Sequence, residues 1–321
     1  MFIEKIRKFI WLFKKENRYL FSLYRYDMLQ YLEYSCLKKN NSEILATKIR
    51  LLAHALEKGL SLPKPKKGFG KEKVLHLIRL CDEYASNLNH KDKQAILIAE
   101  GVISAYIKFQ KQNDFDLSFI PIDRYNKFLS SMAPGGVLQI DRSKIVTDSF
   151  ERIAFARHSL RYFSDRKITE EDILKVVRIA QTAPSACNRQ PIRVFACIDQ
   201  IKIDEIIKHH GGIRGFGKPT VIFVIAGDLS LYQNEYERNT VFIDAGLFSM
   251  NLLYSLESCN IASCPIIWGS NQCDDVFMNK LLGIPDSHKI CILIAAGYFP
   301  GDKYNVAASI RRPVEDILHI I

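Results

Sequence analysis

No stretch of this chain is apolar for the roughly 18 residues that a bilayer-spanning helix needs. The N-terminus lacks the uninterrupted apolar core and small-residue cleavage site of a signal peptide. These two absences lead us to expect a cytoplasmic protein. None of the eight cysteines (Cys36, Cys81, Cys187, Cys197, Cys259, Cys264, Cys273 and Cys291) is paired as Cys-x-x-Cys, and no histidine lies at zinc-finger spacing from them. Several, Cys197 and Cys291 among them, sit inside apolar runs, as reduced cysteines acting as small hydrophobes do. A metal site among Cys259, Cys264 and Cys273 is the lesser alternative, and no metal is expected. Acidic residues are in short supply: 35 Asp and Glu face 45 Lys and Arg, a net charge of +10. Such an excess asks for an anionic partner, which can be nucleic acid, a membrane surface or a phosphorylated ligand. No RRM, zinc-finger or helix-turn-helix signature is present, so nucleic acid is not expected.

What is present is ordinary globular composition, 48% hydrophobic and 25% charged, over 321 residues, enough for a large core and two domains. In residues 1–20, Phe2, Ile6, Phe9, Ile10 and Phe13 share one helical face, with Lys5, Lys8, Lys14, Lys15 and Arg18 largely off it. This pattern suits a peripheral helix on an anionic membrane. It suits equally a helix whose apolar stripe packs on the domain behind it. Residues 41–112 read as helices: Ser42 caps one running to Gly59, and two more span about 72–85 and 91–111. The Pro/Gly/Lys-rich run 61–71 connects the first to the second. His54, Glu57 and Lys58 share one helical face, which makes either an anion-binding surface or an exposed face with local ion pairing. The latter is the plainer reading. Met132-Ala133-Pro134-Gly135-Gly136 signals a linker, which places a boundary near residue 148. The expected division is a helical N-terminal domain with linker, 1–148, and a second domain, 149–321.

The second domain mixes strand and helix patterns. Ile192 to Ile198 alternates as a strand does, Thr220 to Ala226 is apolar almost throughout as a doubly covered strand is, and 262–267 and 290–296 supply two more. Residues 201–209 and 274–282 read as helices. Val241 to Cys259 is a helix apolar around most of its circumference, which suits deep burial or contact with another subunit. The glycine-rich run Gly211, Gly212, Gly215, Gly217 precedes a strand instead of following one, so it is no dinucleotide fingerprint. His209 and His210 are adjacent, point in different directions on a helix, and are assigned to no metal.

The stretch from Arg157 to Pro191 organises the rest. Thr169 and Asp172 stand at capping-box spacing, Ile173, Val176, Val177 and Ala180 form a buried stripe, and Pro184 stops the helix. Polar clusters therefore sit at the two ends of a rigid element. A phosphate monoester is close to a dianion at neutral pH and needs several donors if it is partly buried. Arg157, Ser159 and Arg161 offer two forked cations and a hydroxyl within five residues, and Arg311 and Arg312 could close such a site from the far end of the chain. A single arginine would be read as a surface ion-pair partner. In the loop Pro184-Ser185-Ala186-Cys187-Asn188-Arg189-Gln190-Pro191, the amides of Asn188 and Gln190 carry both donor and acceptor, matching the pyrimidine edge of a flavin ring. The alternative is that they satisfy the backbone of their own loop.

Arg157-His158-Ser159-x-Arg161 followed by Ala183-Pro184-Ser185-x-x-Asn188-x-Gln190-Pro191 resembles the opening signature of the FMN-dependent nitroreductase family, from about residue 149 to the C-terminus. The resemblance implies an α+β fold: a nitroreductase-like α/β sandwich, here preceded by an all-α N-terminal domain. It implies a homodimer with FMN between subunits, and ping-pong turnover in which NAD(P)H as co-substrate is followed by a small-molecule electron acceptor such as a nitroaromatic, quinone or flavin. The cofactor-binding set it implies is Arg157, His158, Ser159, Arg161, Pro184, Ser185, Asn188, Gln190, Trp268, Gly269, Arg311 and Arg312, with the Ile267-Trp268-Gly269 segment passing near the reactive nitrogen of the flavin. No catalytic acid, base or nucleophile is named, because the cofactor carries the redox chemistry.

Three features depart from the family pattern. Ile192 follows Gln-Pro where an aromatic is frequent, the span from residue 226 to 241 is too short for the helical cover some members carry, and the first 140 or so residues lie outside the family core. The added domain is expected to roof the flavin site or dock a partner. The other functional readings are a flavin-dependent dehydrogenase acting on a biosynthetic metabolite, and a non-catalytic basic adaptor at a membrane surface.

Overall fold

The computed structural model describes residues 15–34, 42–86, 93–213, 215–232, 235–269 and 272–321. Residues 1–14, which carry most of the amphipathic N-terminal pattern, and Cys36 lie outside them. Among the described residues no helix is long and apolar enough to cross a membrane.

The N-terminal half is helical: α1 (Lys15–Tyr34), α2 (Ser42–Leu60), α3 (Lys71–Ser86), α4 (Lys93–Gln112) and α5 (Ile122–Leu129). Helical periodicity decides which faces meet. Leu45, Ile49, Leu56 and Leu60 of α2, Val74, Leu77 and Ile78 of α3, and Val102, Ile103, Tyr106 and Ile107 of α4 close one shared core. The expected connector between α2 and α3 is pinned, not loose. Phe69 packs edge-on against Tyr106, whose hydroxyl donates to the Phe69 carbonyl at 2.7 Å.

The expected linker also proves to be a packed element. Gly101 of α4 lies so close to it that a Cβ there would sit 2.3 Å from the Pro134 carbonyl oxygen, so the two backbones touch only because residue 101 is glycine. Immediately after it, β1 (Val137–Asp141) pairs antiparallel with β6 (Lys303–Ala307), residue 137 opposite 307 and 141 opposite 303. This ribbon ties the N-terminal half to the end of the chain.

The C-terminal half is built on an antiparallel four-stranded sheet in the order β2-β3-β5-β4, with β2 (Ile192–Cys197), β3 (Val221–Asp228), β4 (Ile261–Ile267) and β5 (His288–Tyr298). Its other helices are α6 (Phe150–Ala156), α7 (Glu170–Ala180), α8 (Gln200–His210), α9 (Thr240–Ser258) and α10 (Gln272–Leu282). Strand period sorts the side chains of β3 into two cores. Val221, Phe223 and Ile225 face α7 and α9, while Ile222, Val224 and Ala226 face α8 and α10. A sheet covered on both faces makes this half an α/β sandwich, and with the helices before it the chain is α+β, as expected. On α9, Phe242, Ile243 and Leu247 stay exposed although much of the helix is buried.

Candidate functional site

Residues 157–161 run extended beside β4: Ser159 bridges Ser263 in parallel, and the Leu160 N–H donates to the Ser263 carbonyl at 3.0 Å. In an extended chain alternate residues share a side, so spacing by two brings Arg157, Ser159 and Arg161 into one group. Leu160 goes the other way, buried with Ala262, Tyr304 and Val306. The Ser149 hydroxyl caps α6, which ends where Arg157 turns extended. Helix stop and strand edge together fix this segment.

Arg157, His158, Ser159, Arg161 and Arg311 line one cavity of about 640 Å³. The remaining wall comes from α2 and α4, through Arg50, His54, Glu57 and Ile98, and from residues 307–310 beyond β6. Its charge is strongly unbalanced, since Glu57 is the sole carboxylate among the described lining residues. One Glu57 oxygen accepts from the Gly136 N–H at 3.1 Å and the other lies 3.2 Å from His54 Nδ1. Arg161 is 7% exposed, and its Nε is buried without a hydrogen-bond partner, while one terminal nitrogen donates to the Ser159 carbonyl at 3.3 Å. Burial, and then the charge of Arg311, lower the pKa of Arg157. Burial, and then Arg161, lower that of Lys58. These cations repel one another in a half-dry setting, where a bound dianion would relieve them.

The loop after α7 lies at a second, smaller cavity of about 130 Å³, lined by Pro184, Ser185, Gln190, Asp244 and Phe248 among others. The two cavities share no lining residue. Cys187, Asn188 and Gln190 all take positive φ, near 51–53°, a conformation that costs non-glycine residues of order 1 kcal/mol each. Other groups hold the loop in place. The Ala186 N–H donates to Asp244 Oδ1 at 3.0 Å, the Gln190 N–H to Ser185 Oγ at 2.9 Å, and Arg189 pairs with Glu237. Asp244 is itself fixed by the Tyr232 hydroxyl at 2.8 Å. Asn188 and Gln190 are exposed, and neither side-chain amide bonds the loop backbone in the described structure.

The other expected site residues do not reach either cavity within one chain. Trp268 is buried between α8 and α10, with Nε1 donating to Asp275 Oδ1 at 2.8 Å, and Gly269 beside it is exposed. The segment is anchored by His210, whose Nε2 donates to the Ile267 carbonyl at 2.9 Å. His209 Nε2 lies 2.9 Å from Asp274, with its ring stacked on Phe277. Arg312 is exposed next to Arg311 but does not line the cavity.

The sequence offered a partial signal for the α2 wall in the His54, Glu57, Lys58 face, yet the plainer reading of that face as solvated is overturned. Glu57 is 2% exposed and Lys58 is half-buried near Arg161. Arg50 carried no signal, because the contact that sets it in the cavity wall is with Gln94 of α4, distant in sequence.

Residues 154–212 and 213–298 match the family model described as Nitroreductase family. A protein of Archaeoglobus fulgidus that carries the provisional name NADH dehydrogenase/NAD(P)H nitroreductase is 26% identical over 156 residues, 47% of this chain and 86% of its own length. Among solved structures, a nitroreductase family protein from Streptococcus pneumoniae is 22% identical, with 54% of this chain and all (100%) of that chain covered and a TM-score of 0.47. A provisionally named nitroreductase from Desulfovibrio desulfuricans, solved in complex with FMN, is 20% identical, with 54% and 96% covered and a TM-score of 0.46. The match to the nitroreductase family thus lies in the C-terminal half of this chain, over residues 154–298.

Proposed function

We propose that this protein is an FMN-dependent oxidoreductase that uses NAD(P)H to reduce a small organic acceptor. The observation that carries the reading is the cavity where Arg157, Ser159, Arg161 and Arg311 converge, with Glu57 the sole carboxylate among the described lining residues. The buried Nε of Arg161, without a partner, fits a phosphate monoester, because a buried guanidinium donor left unpaired is costly and an anion satisfies it. Bound FMN would supply the hydride chemistry, taking reducing equivalents from NAD(P)H and giving them to the acceptor in alternate half-reactions.

The chain's own residues hold and shield that group. Arg157 and Arg161 supply forked donors, Ser159 a hydroxyl, and Arg311 closes the cavity from the other end of the chain. Asn188 and Gln190, held out on a strained loop by Asp244 and Ser185, are free of backbone duty and suit the polar edge of the flavin ring. That loop and the arginine cavity are separate within one chain, so we read the working unit as a homodimer in which one copy supplies each part. The exposed Phe242, Ile243 and Leu247 of α9 suit the contact. We further read residues 1–148 as an appended helical domain that roofs the phosphate end, which the α2 and α4 side chains in the cavity wall support.

The experiment is a visible spectrum of the purified protein after incubation with FMN, followed by anaerobic mixing with NADH and NADPH. Retained flavin that is bleached by either nucleotide supports the proposal. A protein that takes up no FMN defeats it and favours the adaptor reading.

A further inference from the structure

We propose that Gln94 of α4 is a positioning residue for the arginine cavity: it holds the Arg311 backbone, so that the appended helical half, and not the sheet, carries one arm of the anion site. The ligand class is a phosphate monoester, and its identification with FMN rests on the function proposed above.

The segment that brings Arg311 to the cavity runs on from β6 and is seated on the helical half at three points. The Ala308 N–H donates to the Gly136 carbonyl at 3.1 Å, and the Gly136 N–H donates in turn to the buried carboxylate of Glu57 on α2 at 3.1 Å. Ile310 packs against the core that α2, α3 and α4 share. Gln94 Nε2 donates to the Arg311 carbonyl at 2.7 Å, while Gln94 Oε1 accepts from Arg50 at 3.1 Å. Both functions of that amide are engaged, which fixes its orientation.

The guanidinium follows from its backbone. An Arg311 terminal nitrogen donates to the Ser309 carbonyl at 2.9 Å, and Ser309 takes φ of 47°, a left-handed conformation unfavourable for residues other than glycine. With its tip tied to the local backbone and that backbone tied to α4, Arg311 goes where the helical half puts it. It enters no ion pair among the described residues.

Arg161 reaches the same cavity by the same device on the opposite support. Its guanidinium bonds the Ser159 carbonyl, and Ser159 is bridged to Ser263 of β4. Two Ser-x-Arg segments, one mounted on the sheet and one on the helices, thus line a common space. They come close enough there that the charge of Arg311 is felt at Arg157. Without Gln94 the Arg311 arm loses its fixed backbone, and an anion must order that arm before it can use it.

The test uses the full-length protein, with FMN and, separately, inorganic phosphate as probes, and the variants Gln94→Met, Arg311→Gln and the two combined. Methionine keeps the length of the side chain and removes both hydrogen bonds. The expected result is that Gln94→Met weakens FMN about 3- to 10-fold, the range of one hydrogen bond. Arg311→Gln should weaken FMN at least as much, and Gln94→Met should have no further effect once Arg311 is gone. A loss that persists in the Arg311→Gln background overturns the proposal, because an effect acting through Arg50 or through a loosened α4 would persist there. Unchanged FMN affinity in Gln94→Met overturns it as well. Gln94→Asn, too short to span both partners, takes the place of the methionine variant in the same cycle if the latter does not fold. If the wild type takes up no FMN, the flavin reading fails and the cycle is read by thermal protection with phosphate. Protection that Gln94→Met reduces only while Arg311 is present sustains the proposal. Protection indifferent to residue 94, or none in the wild type, overturns it.

Discussion

Arg142, just past β1, donates from its guanidinium to the buried carboxylate of Glu257 near the end of α9. The same guanidinium bonds Asn260 Oδ1 at 3.1 Å and lies 4.2 Å from the centre of the Phe299 ring. A charge from the segment expected to be a linker is therefore seated in the C-terminal half, where it helps tie β1 to the sheet.

Removing one member of a buried pair strands the other. Glu257→Ala should lower stability by about 3–5 kcal/mol, visible as a large fall in Tm. Replacing both partners together, as Arg142→Met with Glu257→Leu, should cost much less. A double-variant loss equal to the sum of the two single-variant losses would show that the pair is not coupled.

Arg161 is expected to be a binding residue held at a cost to folding. In the absence of ligand, Arg161→Met removes a buried, repelled cation and should raise apoprotein stability by on the order of 1 kcal/mol. The same change should reduce FMN retention sharply, and Arg157→Ala combined with Arg161→Ala should abolish it with the circular dichroism spectrum intact. Unaltered FMN affinity in the double variant would remove the phosphate assignment.

The strained loop allows a similar separation. Gln190 has φ of 51°, so Gln190→Gly should raise stability by about 0.4–1 kcal/mol. Flavin affinity should nonetheless fall in Gln190→Gly and in Asn188→Ala, since those amides serve no bond within their own loop. Thermal melts and flavin titrations of the same samples check both signs.

Acid sensitivity should be traceable to Asp172. The Thr169 hydroxyl at 2.7 Å, the Thr169 backbone N–H at 3.0 Å and the Tyr298 hydroxyl at 2.8 Å hold its carboxyl below the ordinary 3.8. A depressed folded-state value means the contribution is present above pH 3.8 and is lost as pH falls through the folded value. Asp172→Asn should therefore lower Tm at neutral pH, with the gap to wild type closing as the pH drops below that window. A gap independent of pH would assign the effect to packing.

Charge placed on the exposed face of α9 should report on assembly. Ile243→Asp, at a site 62% exposed in the single chain, should leave the monomer fold intact and abolish self-association in sedimentation or light scattering. A wild type that is already monomeric would count against the proposed dimer.

Much of this architecture was legible from short windows of residues. The capping box at Thr169 and Asp172 forms in full, and α7 keeps its Val176 and Ala180 stripe buried. The limits of α2, α3 and α9 fall within a few residues of expectation. In each case the deciding interactions run between residues a few positions apart, so the pattern and the physics share a length scale. The Arg157-Ser159-Arg161 spacing was readable for the same reason, because alternation in an extended segment is local.

The amino-acid order by itself determined the two covered faces of β3, the capped helix between two polar clusters, and the supply of cations for an anionic ligand. It did not decide which cations would serve. Arg142 and Arg189 found carboxylates in Glu257 and Glu237, while Arg157 and Arg161 found each other's company instead. Likewise β1 and β6 are short and mixed in polarity, with no signal until each meets the other across most of the chain. Arg50 joins the cavity only because α4 holds it against the C-terminal segment through Gln94. A cation's partner and a ribbon's second strand are set by contacts between distant segments, and only the packed tertiary structure brings those segments together.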